Sequence, residues 1–273
     1  KTFCSYILIA YYLLSAFYTN LLTRFSNTNL KTLFLEDNIQ ENVTRFSSAI
    51  WFETIQKKSI ILAGLGGIGS YVAFLLGRLN VKELVLYDAD IVETVNMSGQ
   101  LYGKQQLGIS KVSATAGLLQ NFCNFSSYMA KAELYTELSG NGPIMICGFD
   151  NMKARKVFYT RWLEYVKTHP TEANTFLFID GRLAAEELQI LCIKGDDYYS
   201  QGVYEANFLF EDSEAQATIC SYKQTTFMAN MIASLMVNLF VNAVANECSP
   251  VIERDLPFYT EYNAEIMYLK TTY

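Results

Sequence analysis

The sequence predicts an α/β fold, a doubly wound and mostly parallel sheet with an antiparallel second half. Three patterns carry that expectation. Between residues 59 and 90 an apolar β-branched run is followed by a cluster of glycines, then by apolar residues at helical spacing and then by a second apolar run. Further along, short apolar runs continue to alternate with helical patterns, the signature of strands joined by crossover helices. Later, runs at 176–179 and 188–193 follow each other with no helix between them, so the second pairs with the first or with its neighbour and the second half turns antiparallel.

Taken in order, residues 2–22 contain no charged side chain and have about the ~20-residue length of a bilayer-crossing helix. Ser5, Ser15, Thr19 and Asn20 dilute the stretch, so a membrane contact through residues 2–22 is the less favoured expectation. Residues 25–44 read as a polar connector, and the chain divides into an apolar N-terminal segment with connector, 1–44, and one large domain, 45–273. Apolar positions 46, 49, 50, 52 and 55 predict an amphipathic lead-in helix over 45–58.

The strand at 59–63 meets Gly64, Gly66, Gly67 and Gly69. Gly64 permits a tight turn, Gly66 lets backbone approach a phosphate, and Gly69 lets helix pack on strand, so the helix N-terminus is ready for an anion. Asp88 ends the next strand, where a carboxylate accepts hydrogen bonds from ribose hydroxyls. The stretch reads as a nucleotide site. A helix is predicted over 110–122, strands over 128–134 and 144–147, and a helix from Asn151 to 166. Gly64, Asp88, Asp150 and Asp180 all fall at predicted strand ends, where open α/β sheets bind ligands. Residues 195–220 are acidic and polar and read as a loop or flap. A long apolar helix is predicted over 224–246 and a last strand over 266–269.

With 273 residues the chain can bury a large core. A net charge of −6 excludes a nucleic-acid binder that relies on a basic surface. The six cysteines, at 4, 123, 147, 192, 220 and 248, include no Cys-x-x-Cys pair, which leaves zinc without its usual ligands and points to reduced thiols and a cytoplasmic protein. His169 is the one histidine, so mechanisms built on a Ser-His or Cys-His pair have little support.

The segments GLGGIGS, DADIVETVN, GISK and GFDN, in that order, make the chain resemble the ThiF/MoeB/HesA family of ubiquitin-activating-enzyme-like adenylyltransferases. The resemblance runs from about Arg45 to Asn246. It implies a Rossmann-like fold, a homodimer, and ATP with Mg²⁺ as cofactors. It also implies a small ubiquitin-fold or sulfur-carrier protein as partner, its C-terminal carboxylate being adenylated and in some members passed to a cysteine. Carried over by position, Gly64, Gly66, Gly67 and Gly69 would line the phosphates and Asp88, with Asp90 beside it, the ribose. Asn96, Gln100 and Lys111 would contact ATP, Lys111 neutralising charge at the α-phosphorus, and Asp150 would hold Mg²⁺. Taken singly, Asn96 also suits a turn cap, Lys111 a solvated helix start and Asp150 a helix cap.

The family's Asn-x-x-Arg-Gln is here Asn96-Met97-Ser98-Gly99-Gln100, with glycine in the arginine position. Loss of such a charge-assisted contact can cost ~10²–10³ in rate. Lys104, Arg155, Arg182 and Arg45 are the candidates to replace that cation. Arg45 lies where the family carries an arginine reaching across the dimer. Cys220, ahead of the long helix, falls near the family's acyl-accepting cysteine, and a helix N-terminus with Lys223 nearby favours a thiolate. Burial as an ordinary core cysteine is the alternative. Two other readings stay open: an NAD- or FAD-dependent oxidoreductase, and a nucleotide-binding module whose catalysis is weakened by Gly99.

Overall fold

The computed structural model describes residues 45–211, 225–249 and 253–273. The expectations for residues 1–44, for the end of the 195–220 flap and for Cys220 lie outside the described residues. One eight-stranded sheet runs through the fold, in the order β3-β2-β1-β4-β5-β6-β7-β8. Its parallel part comprises β1 (Ser59–Ala63), β2 (Glu83–Tyr87), β3 (Tyr128–Lys131), β4 (Ile144–Cys147) and β5 (Leu177–Ala184). The rest is antiparallel: β6 (Glu187–Lys194), β7 (Tyr259–Asn263) and β8 (Tyr268–Thr272).

The register of the parallel part follows from its composition. Ile60, Leu62, Leu84, Leu86, Ile144 and Ile146 are buried to 2% exposure or less, and strands covered on both faces need such unbroken apolar runs. One face is covered by α2 (Gly67–Arg78), α3 (Lys111–Cys123) and α6 (Thr226–Ala245). The other carries α4 (Met152–Thr168) and α5 (Tyr198–Asn207) over an aromatic core of Phe158, Tyr159, Trp162, Phe178 and Tyr204. The helix α6 is long and apolar enough to cross a membrane, yet half of it is buried against α2, β5 and β6. Strand order reverses between β1 and β4, and a crevice at the carboxyl ends of the strands opens at such a switch point.

Four local expectations are corrected. The lead-in helix over 45–58 is turns followed by one helical turn, α1 (Phe52–Ile55). Phe46 stacks on Trp51 at 5.9 Å and meets Phe52 edge-on at 5.7 Å, so the aromatic contacts fold the segment back instead of extending it. The 195–220 loop contains α5, started by Asp197, whose carboxylate accepts from Ser200 N at 3.0 Å. The last strand lies at 268–272, because Asn263 Oδ1 accepts from Ile266 N at 3.2 Å and Met267 takes φ +50°, which makes 264–267 a hairpin turn. Its partner β7 is a strand that the sequence reading did not include. The strand at 128–134 stops at Lys131, since β2 offers pairing only as far as Tyr87.

Candidate functional site

The glycine turn joins β1 to α2 in the conformation its residues require. Gly64 has φ +80°, a left-handed conformation that side chains oppose. A Cβ on Gly69 would lie 1.8 Å from the Gly64 carbonyl oxygen, so this position admits glycine alone. Gly66 is the N-cap of α2 and offers no side-chain cap, and the nearest atom to a Cβ placed there is Gln100 Nε2 at 3.9 Å. Free N–H groups at a 12-residue helix start form an anion cradle.

A chain of hydrogen bonds ties this cradle to the next loops. Asp88 Oδ2 accepts from Leu65 N at 2.7 Å, and Asp88 Oδ1 accepts from Asp90 N at 2.8 Å. Asp90 Oδ2 in turn accepts from Lys111 Nζ at 2.7 Å, and Asp90 O accepts from Lys111 N at 2.9 Å. Burial pushes the Asp88 carboxyl above its ordinary range, opposed by the Lys111 charge and the two backbone donors. The Lys111 side chain is 9% exposed, whereas that of Asp90 is 67% exposed. Lys111 is therefore a buried ammonium resting on a solvent-facing acid, and the expectation of a solvated helix start is corrected. Ser110 caps its helix.

Asn96 Oδ1 accepts from Glu93 N at 2.8 Å and closes the turn 94–98, the capping role that the sequence left open for it. Gln100 presents Nε2 beside Gly66, while its Oε1 is buried with no hydrogen-bond partner. Asp150 is exposed and accepts from Asn151 Nδ2 at 3.1 Å. The cap of α4 is Asn151, whose Oδ1 accepts from Ala154 N at 2.8 Å, so Asp150 is spared that task. Among the described residues no group of three or more His, Cys, Asp or Glu side chains is gathered. The glycine cradle, the uncapped helix start and the orphaned Gln100 oxygen fit a nucleotide.

The strand-end grouping is corrected at Asp180. This residue lies within β5, is completely buried, and is bound by Arg155 and Arg182. Both arginines are thereby committed and neither is free to stand in for the cation missing at Gly99, which is itself buried. Lys104 is exposed at the start of a short 3-10 turn. Arg45 is exposed in the turns before α1, and its expected role concerns a second copy of the chain. Cys123, Cys147, Cys192 and Cys248 are all buried. Burial pushes the thiols of Cys123 and Cys192 up to about 11 and about 12, and raises that of Cys147 as well, which keeps them protonated and unreactive.

Two residues of the site escaped sequence reasoning. Tyr102 donates its hydroxyl to the Leu65 carbonyl at 2.7 Å and meets Thr115 at 3.0 Å, which fixes the glycine turn from below. Ser70 Oγ accepts from Leu101 N at 3.1 Å and holds the 98–101 segment against α2. The Tyr102–Leu65 and Ser70–Leu101 contacts join positions more than thirty apart, and no local pattern announces them.

A family model described as the ThiF family matches residues 38–272. The ubiquitin-like modifier-activating enzyme 5 of Bombyx mori is 41% identical over 70 residues, 26% of this chain and 18% of that protein. That of Caenorhabditis elegans is 31% identical over 120 residues, 38% of this chain and 29% of that protein. The match thus spans less than a third of the length of either relative. Among solved structures, PaaA aligns with a TM-score of 0.62 at 14% identity, covering 86% of this chain and 72% of its own. Escherichia coli MccB crystallised with ATP aligns with a TM-score of 0.55 at 13% identity, covering 86% and 70%. At these identities the two structures support the fold.

Proposed function

The chain belongs to the ThiF family, and on that premise we propose that it is an ATP-dependent adenylyltransferase acting on the C-terminal carboxylate of a small ubiquitin-fold or sulfur-carrier protein. The observation that carries the reading is the bonded chain from Leu65 N through Asp88 and Asp90 to Lys111, which sets a buried ammonium beside an anion cradle. A carboxylate oxygen of the partner attacks the α-phosphorus, the bond to the bridging oxygen breaks, and pyrophosphate leaves with that electron pair. No proton has to move, which suits a site with no histidine.

In this reading the α2 N-terminus and the glycine turn hold phosphate, Asp88 takes the ribose, and Gln100 Nε2 donates to a phosphate oxygen. Lys111 leaves Asp90 to neutralise the charge that builds up at the α-phosphorus. Magnesium held at Asp150 would supply further positive charge to the polyphosphate. Transfer to a cysteine, if it follows, falls to Cys220, because the described cysteines are buried. A homodimer is part of this reading because the family resemblance implies one, and the outer face of α6, with Ser234 and Asn238 exposed, is where we look for it. We place the chain in the cytoplasm on its reduced-thiol composition.

ATP–pyrophosphate exchange, run with and without small ubiquitin-fold proteins, tests the reading. Exchange should require a partner and fall by about 10²–10³ in Lys111→Ala, with a comparable loss in Asp150→Ala. A second reading, a nucleotide-binding module of weakened catalysis, is favoured by Gly99 together with the engagement of Arg155 and Arg182 on Asp180. Tight ATP binding with no exchange for any partner would establish it. Binding of NAD in place of ATP would overturn both.

A further inference from the structure

Among the described residues, Asp180 and its partners are a buried ionic group that the proposed chemistry leaves unused. Asp180 Oδ1 accepts from Arg155 Nη1 and, at 3.5 Å, from the Cys147 thiol. Oδ2 accepts from Arg182 Nε at 2.8 Å and from the Tyr204 hydroxyl at 3.0 Å. One carboxylate thus holds two guanidinium groups, and the two leave in different directions. Arg182 Nη2 runs to the Phe208 carbonyl at 2.8 Å. Arg155 Nη2 runs to the Phe149 carbonyl, and its Nη1 also reaches Gly181 O at 3.4 Å.

The Phe149 carbonyl belongs to the turn between β4 and α4 that carries Asp150. That turn has other holds, the Asn151 cap among them, but among the described residues none of them binds the Phe149 carbonyl. Gly148 has no side chain, and a Cβ there would lie 2.8 Å from Ile68 Cβ. Its amide bonds to Ala63 O at 3.2 Å, the Phe149 ring packs edge-on against Phe158 at 5.5 Å, and Asp150 itself is exposed. We propose that Arg155 is the positioning residue of this turn: its fork, fixed by Asp180, clamps the Phe149 carbonyl and so sets where the Asp150 carboxylate stands. The role given to Asp150 rests on the proposed function, whereas the clamp itself does not.

A lysine at 155 keeps the charge and the ion pair with Asp180, but it lacks the planar fork that reaches two acceptors in fixed directions. Arg182→Lys is the matched control, since it disturbs the same buried carboxylate without touching Phe149. In Arg155→Lys, amide hydrogen exchange over 149–151 should quicken by about tenfold or more relative to wild type, with Arg182→Lys near wild type. The Mg²⁺ concentration for half-maximal ATP binding should rise about 10–100-fold in Arg155→Lys alone. Equal changes in both variants, or none in either, would leave Arg155 a mere buried counter-ion and overturn the proposal. Wild type that binds ATP identically with and without Mg²⁺ would refute the metal role of Asp150, and the exchange contrast would then decide the clamp by itself. Should Arg155→Lys fail to fold, Arg155→Gln, which leaves Asp180 paired with Arg182, takes the same readouts.

Discussion

Two residues of the cradle carry sharp expectations. Gly69→Ala places a methyl group 1.8 Å from the Gly64 carbonyl. Overpacking of this kind costs about 1–3 kcal/mol or more, and here backbone must move, so thermal unfolding should drop by several degrees with ATP binding lost. Asp88 makes a prediction in pH. Its folded carboxyl titrates above the ordinary 3.8, so the folded chain holds the proton more tightly than the unfolded chain. Stability from that proton is full below the ordinary value and is lost as pH rises through the folded pKa. ATP affinity needs the ionised carboxylate and is gained over the same range. Stability and affinity therefore slope in opposite directions with pH, and Asp88→Asn should flatten both; parallel slopes in calorimetry and binding titrations would sink this assignment. At this scale the conformation of the glycine turn and the place of Asp88 just after β2 were legible, because each is set within one local motif. The Lys111–Asp90 pairing, the Tyr102 hydroxyl and the orphaned Gln100 oxygen were not, because they depend on distances between loops.

The strands and helices separate into those that pattern alone specifies and those that partners specify. Helix α3 starts where Ser110 can cap it, α4 where Asn151 can, β1 is apolar after Ser59 and β4 throughout, so sequence and structure agree on them. The segment before α1 shows helical spacing, yet aromatic contacts win over propensity in so short a stretch. Strand β7, with Glu261 and Asn263 among its five residues, carries little alternation and exists because β6 offers an edge. Helix α6 was legible in length, and its outer face is where the proposed homodimer can be tested. Ser234→Arg with Asn238→Arg places two charges on that face without touching the core; sedimentation should give a dimer for wild type and a monomer for the variant. A monomer in both cases would remove the homodimer from the proposed function.

For the whole molecule, fold class and the reversal of strand order were within reach of the sequence, because alternation of strand and helix limits the topologies to a few. What pattern could not supply is which of the three carboxylates at apparent strand ends, Asp88, Asp150 and Asp180, face the crevice. Asp180 looks equivalent to Asp88 in sequence, yet β5 continues past it to Ala184 and buries it. The difference lies in the antiparallel pairing with β6, which extends β5 beyond the parallel register.

The packing of α6 on α2 has a consequence for synthesis. The glycine turn leaves the ribosome well before the helix that covers α2, which lies far downstream at Thr226–Ala245. Until Thr226–Ala245 has emerged, the apolar side of α2 has only α3 and its own sheet to shelter it. At roughly 5–20 residues per second that interval lasts many seconds, during which the half-built nucleotide fold is a client for chaperones.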